Sequence, residues 1–166
     1  MTEDTSGQAG GSPHWRGKPV YGYDSPIVQQ GYVAREATRV ADFFISYLQP
    51  GMSLLDCGCG PGAITLGLAE HVALGEVVGV DLEPTMIERA IAIAGERHAE
   101  KVRFQVADIL ELPFPDNSFD AVFSSAVLEH LADPVQALRE IFRVLKPEGL
   151  IGVASTDWVE PHFAGR

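Results

Sequence analysis

The segment from residue 54 to residue 62, Leu-Leu-Asp-Cys-Gly-Cys-Gly-Pro-Gly, constrains the fold of this chain more than any other segment. Its apolar start predicts a buried strand that ends at Asp56, and the glycines that follow predict a tight turn into a helix. Glycines at positions 58, 60 and 62 have no Cβ atom, so the backbone of the turn can approach a ligand closely. We therefore expect a ligand site where this strand ends.

Two kinds of ligand suit such a turn. Gly58, Gly60 and Ala63 match the G-x-G-x-x-G/A spacing of dinucleotide-binding folds, although a plain strand-to-helix connection has the same glycines. Asp56, however, places a carboxylate where a dinucleotide would bring its pyrophosphate, and like charges repel strongly in a cleft. A nucleoside with a positive, amine-bearing group suits both the carboxylate and the glycines. S-adenosylmethionine is such a molecule, and the turn favours it over a nicotinamide dinucleotide.

The charge balance excludes several classes of partner. The 166 residues suffice for one domain, and 23 acidic against 12 basic residues give a net charge of −11, which disfavours binding to nucleic acid or anionic membranes. No apolar stretch is long enough for a membrane span and no signal peptide is apparent, so we expect a cytoplasmic protein. Cys57 and Cys59 are too close for an ordinary disulfide and too few for a zinc site, which predicts buried thiols and no metal centre.

Alternating strand and helix patterns predict an α/β fold with a Rossmann-like, doubly wound and mainly parallel sheet of five strands. Apolar residues at helical spacing from Val33 to Leu48 predict a helix before the first strand. The predicted strands are 53–56, 77–81, 102–107, 121–124 and 150–154, and the predicted helices between them are 63–71, 84–94 and 134–145. We expect a disordered tail at 1–13, an irregular aromatic segment at 14–31 and the core domain at 32–166.

Polar residues at the carboxyl ends of these strands are the candidate ligand contacts, because parallel sheets bind ligands there. Asp81 closes the second strand, where its carboxylate can accept ribose hydroxyls, and helix capping is a compatible role. Asp108 closes the third strand and can accept the adenine amine while the Ile109 amide faces a ring nitrogen; local backbone bonding by Asp108 is the alternative. Leu82 and Met86 either flank the adenine ring or belong to the core.

Four segments, in order, resemble class I S-adenosylmethionine-dependent methyltransferases of the ubiquinone/menaquinone-biosynthesis-like group (methyltransferase type 11). They are LDCGCGPG at 55–62, VGVD at 78–81, ADILELPFPDNSFD at 107–120 and RVLKPEG at 143–149, and together they cover about residues 35–155. The resemblance implies methyl transfer to a small-molecule acceptor, with S-adenosylhomocysteine as the product. It implies that Asp81 binds the ribose of S-adenosylmethionine and that Asp108 and Ile109 bind its adenine. It also implies that Ser125 lies near the sulfonium. The implied contacts of the methionine portion are Asp56, Gly58, Cys59, Gly60, Pro61 and Gly62.

Three questions stay open from the sequence. His130, after the fourth strand, is the candidate general base, with a structural role in its loop as the alternative. The family continues past the fifth strand with a helix and an antiparallel hairpin that residues 156–166 do not resemble. We therefore expect either a fragment of a longer enzyme or a homodimer in which a second copy covers the open sheet edge. A non-catalytic S-adenosylmethionine-binding domain and a nicotinamide-dependent oxidoreductase are the alternative functions.

Overall fold

The computed structural model describes residues 37–155, which form one parallel sheet with helices on both faces. The strands are β1 (Leu54–Cys57), β2 (Val77–Asp81), β3 (Val102–Val106), β4 (Phe119–Ser125) and β5 (Leu145–Ala154). The helices are α1 (Ala37–Val40), α2 (Asp42–Ile45), α3 (Ala63–His71), α4 (Pro84–Glu96) and α5 (Pro134–Val144), with a 3₁₀ turn at Leu128–His130. The sheet order is β3-β2-β1-β4-β5 and every pairing is parallel, which confirms the predicted Rossmann-like α/β class.

Each face of the sheet has its own apolar core because successive strand residues point to opposite faces. Leu54 belongs to the cluster under α1, α2 and α3, where the rings of Phe44 and Phe123 have centroids 5.4 Å apart. Leu55 belongs to the cluster under α5, which includes Ile141. This alternation directs the Asp56 side chain to the α3 side of the sheet, since Asp56 has the same parity as Leu54.

The helix before β1 differs from the prediction in its continuity. The structure has two four-residue helices, α1 and α2, which are separated by Ala41 at φ −117° and ψ 15°. The apolar face was predicted correctly, because Ala41 and Phe44 are buried and Leu48 packs against the same cluster. Packing of Phe44 on the sheet, and not helical propensity, sets the direction of helices this short. Val33 and the segments at 1–13 and 14–31 lie outside the described residues.

β5 begins earlier than predicted, at the residue assigned from sequence to the end of α5. Leu145 pairs with Phe119, and regular pairing then resumes at Leu150 with Ala121. Residues 146–149 bulge out between these two pairs, and Glu148 has a φ of +63°. The ladder of residues 150–154 matches the prediction, and α3 and β2 have the predicted bounds. In the part of the chain that the structure describes, no helix is long and apolar enough to cross a membrane.

Candidate functional site

The predicted ligand contacts gather at one edge of the sheet, where the parallel strands end. Register places Cys57 of β1 beside Val80 of β2 and Ser124 of β4, so the three strands end at the same level. β1 lies between β2 and β4, and the chain passes to opposite sides of β1 to reach them. The glycine turn after β1 therefore occupies the topological switch point, where sheets of this kind bind their ligands.

Glycine is needed at the three positions of the turn for different structural reasons. A Cβ on Gly58 would overlap Cγ2 of Val127, and a Cβ on Gly62 would lie 2.7 Å from Cζ of Phe104. These two glycines are required by packing within the protein. Gly60 has a φ of +52°, and among residues 37–155 no atom outside its two chain neighbours lies within 4 Å of a Cβ built on it. The open space beside Gly60 is therefore where the backbone can approach a ligand.

Asp81 links this turn to the end of β2. Its Oδ2 accepts a hydrogen bond from the Gly60 N–H at 2.9 Å, and its Oδ1 accepts one from the Glu83 N–H at 2.9 Å. Burial raises the pKa of Asp81, and the two backbone hydrogen bonds oppose that rise. Glu83 is the N-cap residue of α4, so Asp81 supports the helix start without capping it. A carboxylate oxygen has a further lone pair, so both oxygens can still accept a ligand hydroxyl.

Asp56 is buried, with 2% of its surface exposed, and its Oδ2 accepts a hydrogen bond from Thr65 Oγ1 at 2.6 Å. Burial raises its pKa to about 7, and the nearby Asp81 adds to the rise while the Thr65 hydroxyl opposes it. This corrects the charge argument from sequence, which treated Asp56 as fully ionised. At neutral pH the carboxyl is about half protonated, so its repulsion of a pyrophosphate is weaker than that argument assumed.

Asp108 and Ile109 follow β3 at the same edge. Asp108 Oδ1 accepts a hydrogen bond from the Leu110 N–H at 2.9 Å, which is the local backbone bonding considered as an alternative. Asp108 also forms an isolated bridge with Glu111. The Ile109 side chain is 7% exposed and packs into the core under α5. The turn at Asp108–Glu111 therefore fixes the main chain of Ile109, whose amide is the predicted contact to adenine.

Four remaining candidates differ in how accessible they are. Met86 is 3% exposed and belongs to the core beneath α4, whereas Leu82 is half-buried. Ser125, the last residue of β4, is half-buried at the same edge as the glycine turn. His130 is half-buried at the end of the 3₁₀ turn, where its N–H donates to the Val127 carbonyl at 2.9 Å. Their roles toward a ligand stay predictions.

The two cysteines are free and buried, as the sequence predicted. Burial, followed by the negative charge of Asp56, raises the pKa of both thiols, so both are protonated at physiological pH. Within residues 37–155, no group of three or more histidine, cysteine, aspartate or glutamate side chains is placed to hold a metal ion.

Sequence reasoning missed two side chains that shape this site. Thr65 is fully buried and supplies the only polar side chain bonded to Asp56 among the described residues; a threonine on the buried face of α3 was the available signal. The side chain of Val127 packs against the turn at Gly58 and fills the space that a Cβ atom there would need. No sequence pattern indicated that contact.

The family of this chain follows from comparison with known proteins. A family model described as a methyltransferase domain matches residues 55–153. The chain belongs to this family of class I S-adenosylmethionine-dependent methyltransferases. The matched range includes all four segments on which the resemblance depended.

Two curated relatives and one solved structure illustrate the similarity. "Probable methyltransferase ltbC" of Aspergillus luteorubrus is 36% identical over 154 residues, which is 87% of this chain and 53% of that protein. The demethylmenaquinone methyltransferase of Lactobacillus johnsonii is 36% identical over 111 residues, which is 66% of this chain and 46% of that protein. The structure of a SAM-dependent methyltransferase from Aquifex aeolicus has a TM-score of 0.63 at 27% identity and covers 75% of this chain and 64% of that one. The chain therefore spans about half the length of each of these two curated relatives.

Proposed function

We propose that this protein binds S-adenosylmethionine at the carboxyl edge of the sheet and transfers its methyl group to a small-molecule acceptor. The observation that carries the proposal is the open space beside Gly60, whose amide is held by the carboxylate of Asp81. A backbone without a side chain and a half-buried carboxylate with further acceptor capacity fit a nucleoside with a ribose diol. Membership of the methyltransferase family supports this choice of nucleoside.

The protein's own residues bind and orient in this proposal. The bound cofactor supplies an electrophilic methyl group on a cationic sulfur, which is open to in-line attack. Asp81 holds the ribose, Asp108 and the Ile109 amide hold the adenine, and the glycine turn with Asp56 holds the methionine portion. Most of the acceleration then comes from alignment of an acceptor with the methyl–sulfur axis. His130 remains the candidate base for acceptors whose proton must leave during transfer.

A small-molecule acceptor is favoured by charge and by a relative. A net charge of −11 opposes the approach of a nucleic acid substrate. The name of the relative from Lactobacillus johnsonii specifies demethylmenaquinone as its acceptor. The glycine turn and the carboxylates contact only the cofactor, so the acceptor must be found by experiment.

Titration calorimetry with S-adenosylmethionine, S-adenosylhomocysteine and NAD⁺ tests the cofactor part of the proposal. We expect the two sulfur nucleosides to bind and NAD⁺ to bind much more weakly. Tight binding of NAD⁺ alone would overturn the assignment in favour of an oxidoreductase.

The acceptor is tested separately with methyl-labelled S-adenosylmethionine and a fractionated cell extract. Label should appear in a low-molecular-mass organic fraction. Label found only in RNA or protein would refute a small-molecule acceptor. Cofactor binding without any label transfer would favour the non-catalytic alternative.

A further inference from the structure

One polar face of α5 binds the main chain of the segment that follows the predicted adenine contacts. Gln136, Glu140 and Arg143 are spaced four and three residues apart, which puts them on a single face of the helix. The segment that they contact, residues 110–116, connects Asp108 and Ile109 to β4 without a helix or strand of its own. No regular ladder of backbone hydrogen bonds therefore fixes its path, and contacts with other elements contribute to it.

The contacts from α5 follow every second residue of that segment. Gln136 Nε2 donates to the Leu110 carbonyl at 3.3 Å. The Leu112 N–H donates to Glu140 Oε2 at 2.8 Å. Arg143 Nη2 donates to the Leu112 carbonyl at 2.8 Å, and Arg143 Nη1 donates to the Phe114 carbonyl at 2.7 Å. These bonds reach backbone atoms, so they specify where the segment runs and not which side chains it carries.

Glu140 and Arg143 also fix each other. Arg143 Nε and Nη2 donate to the two carboxylate oxygens of Glu140 at 2.9 and 2.7 Å, a bidentate pair of the geometrically specific kind. Arg143 Nη1 further donates to Asp116 Oδ1 at 3.0 Å. The Glu140 side chain is 13% exposed, and its hydrogen bonds to Arg143 lower its pKa. The guanidinium is therefore held rigidly while it binds the segment.

We propose that the Gln136–Glu140–Arg143 row is a positioning device: it fixes the main chain after Ile109 and so determines how strictly the site selects adenine. The inference rests on the proposed function, because the base must lie against Asp108 and Ile109. Leu110 connects this row of α5 to the adenine contacts, since its carbonyl accepts a hydrogen bond from Gln136 and its N–H donates one to the carboxylate of Asp108. Displacement of the segment therefore displaces the adenine contacts.

Binding selectivity between S-adenosylhomocysteine and S-inosylhomocysteine tests this role. The inosyl compound replaces the adenine amine with a carbonyl and protonates the neighbouring ring nitrogen. It therefore loses both the donor for Asp108 and the acceptor for the Ile109 amide. We expect the wild-type protein to prefer the adenosyl compound about 100-fold, because a site built to pair both groups leaves them unpaired with the analogue. In Arg143→Met this preference should fall about tenfold.

Lys146→Met is the matched control. Lys146 Nζ donates a hydrogen bond to Asp120 Oδ1 at 2.9 Å near the starts of β4 and β5, at the edge of the sheet opposite Asp108 and Ile109. This variant should be less stable than the wild-type protein and should keep the wild-type preference for S-adenosylhomocysteine over S-inosylhomocysteine. Arg139→Met, an exposed position on α5, should change neither quantity. Glu140→Gln keeps the side-chain volume while it removes the charged partner of Arg143, and it should also lose selectivity.

A second readout needs no ligand. Hydrogen exchange of the Leu112 amide should accelerate in Arg143→Met and Glu140→Gln, and it should stay unchanged in Lys146→Met. Wild-type selectivity in both row variants would refute the positioning role, and if Arg143→Met does not fold, Glu140→Gln decides alone. Equal wild-type affinity for the two nucleosides would refute the adenine contacts and with them the inference. A wild-type protein that binds neither nucleoside would instead overturn the proposed function.

Discussion

Replacement of Asp56 by asparagine should change how the stability of this protein depends on pH. Burial holds the pKa of Asp56 at about 7, against an ordinary value of 3.8. Between these two values the unfolded chain has released the proton that the folded chain keeps. The contribution of Asp56 to the free energy of unfolding is therefore largest below about pH 4. It falls as the pH rises from 4 to 7 and is constant above about pH 7.

The magnitude follows from the same two pKa values. Each pH unit in the window costs about 1.4 kcal/mol, so the whole window amounts to about 4 kcal/mol. Because the pI is about 4.7, unfolding is best measured well above that pH to avoid association. Between pH 5.5 and pH 7 the wild-type protein should lose about 2 kcal/mol relative to Asp56→Asn. That is a large share of the total stability of a domain of this size.

Urea unfolding followed by far-UV circular dichroism, at steps from pH 5.5 to pH 8, measures this difference. Asparagine keeps an oxygen for the Thr65 hydroxyl, so the substitution alters ionisation more than shape. Subtraction of the two stability curves removes the titration of groups that do not interact with Asp56.

Asp120→Asn is the control with the opposite sign. Burial opposes its ionisation, yet hydrogen bonds from Lys146 and Ser53 lower the pKa of Asp120 to about 2. Its contribution is present above pH 3.8 and is lost only as the pH falls toward 2, so its curve should run parallel to wild type from pH 5.5 to pH 8. A parallel curve for Asp56→Asn as well would refute the reasoning about Asp56.

Three further outcomes are expected. Gly58→Ala should destabilise the fold by about 1–3 kcal/mol, since its Cβ overlaps Val127, whereas Gly60→Ala should fold and lose cofactor affinity; urea midpoints and calorimetry separate the two. Asp81→Asn should weaken S-adenosylhomocysteine binding by about 1.5–3 kcal/mol, and unchanged calorimetric affinity would remove Asp81 from the site. Cys57 and Cys59 should react with a thiol reagent only as fast as the protein opens, and rapid labelling of the native state would contradict their burial.

The fold was largely predictable because its main signals are local. Short Val-rich runs, the glycine turn and Pro84 at a helix start each specify one element, and β2 and α3 have the predicted bounds. Parallel strands then bring their carboxyl ends together without any further information, which is why Asp81, Asp108 and Ser125 share one edge. The spacing of apolar residues along the sequence does not show how distant parts of the chain pack together. The break in the first helix at Ala41 and the bulge in β5 were therefore not predicted.

The electrostatics of the site were less predictable for a physical reason. Sequence shows that Asp56 carries a carboxyl group, but its ionisation depends on burial and on Thr65, which is nine residues away. The same residue type at position 120 has the opposite pKa shift, because Lys146 and Ser53 meet it in the folded chain. Neither pairing has a spacing that a single sequence reveals. The charge state of an acidic motif residue therefore has to be obtained from the structure.

The motif segments also divide by structural role. Asp120, which ends the 107–120 segment, accepts from the Ser53 N–H at 2.8 Å and from Lys146 Nζ at 2.9 Å, and Lys146 belongs to the 143–149 segment. These bonds join the starts of β1, β4 and β5 at the edge opposite the glycine turn. Since strand residues are in fixed register, fixing the starts also aligns the tips that carry Gly58 and Ser125. Asp120 and Lys146, one residue from each of these two segments, thus support the site from the far edge, and substitutions at either should lower stability and leave cofactor affinity in the folded protein unchanged.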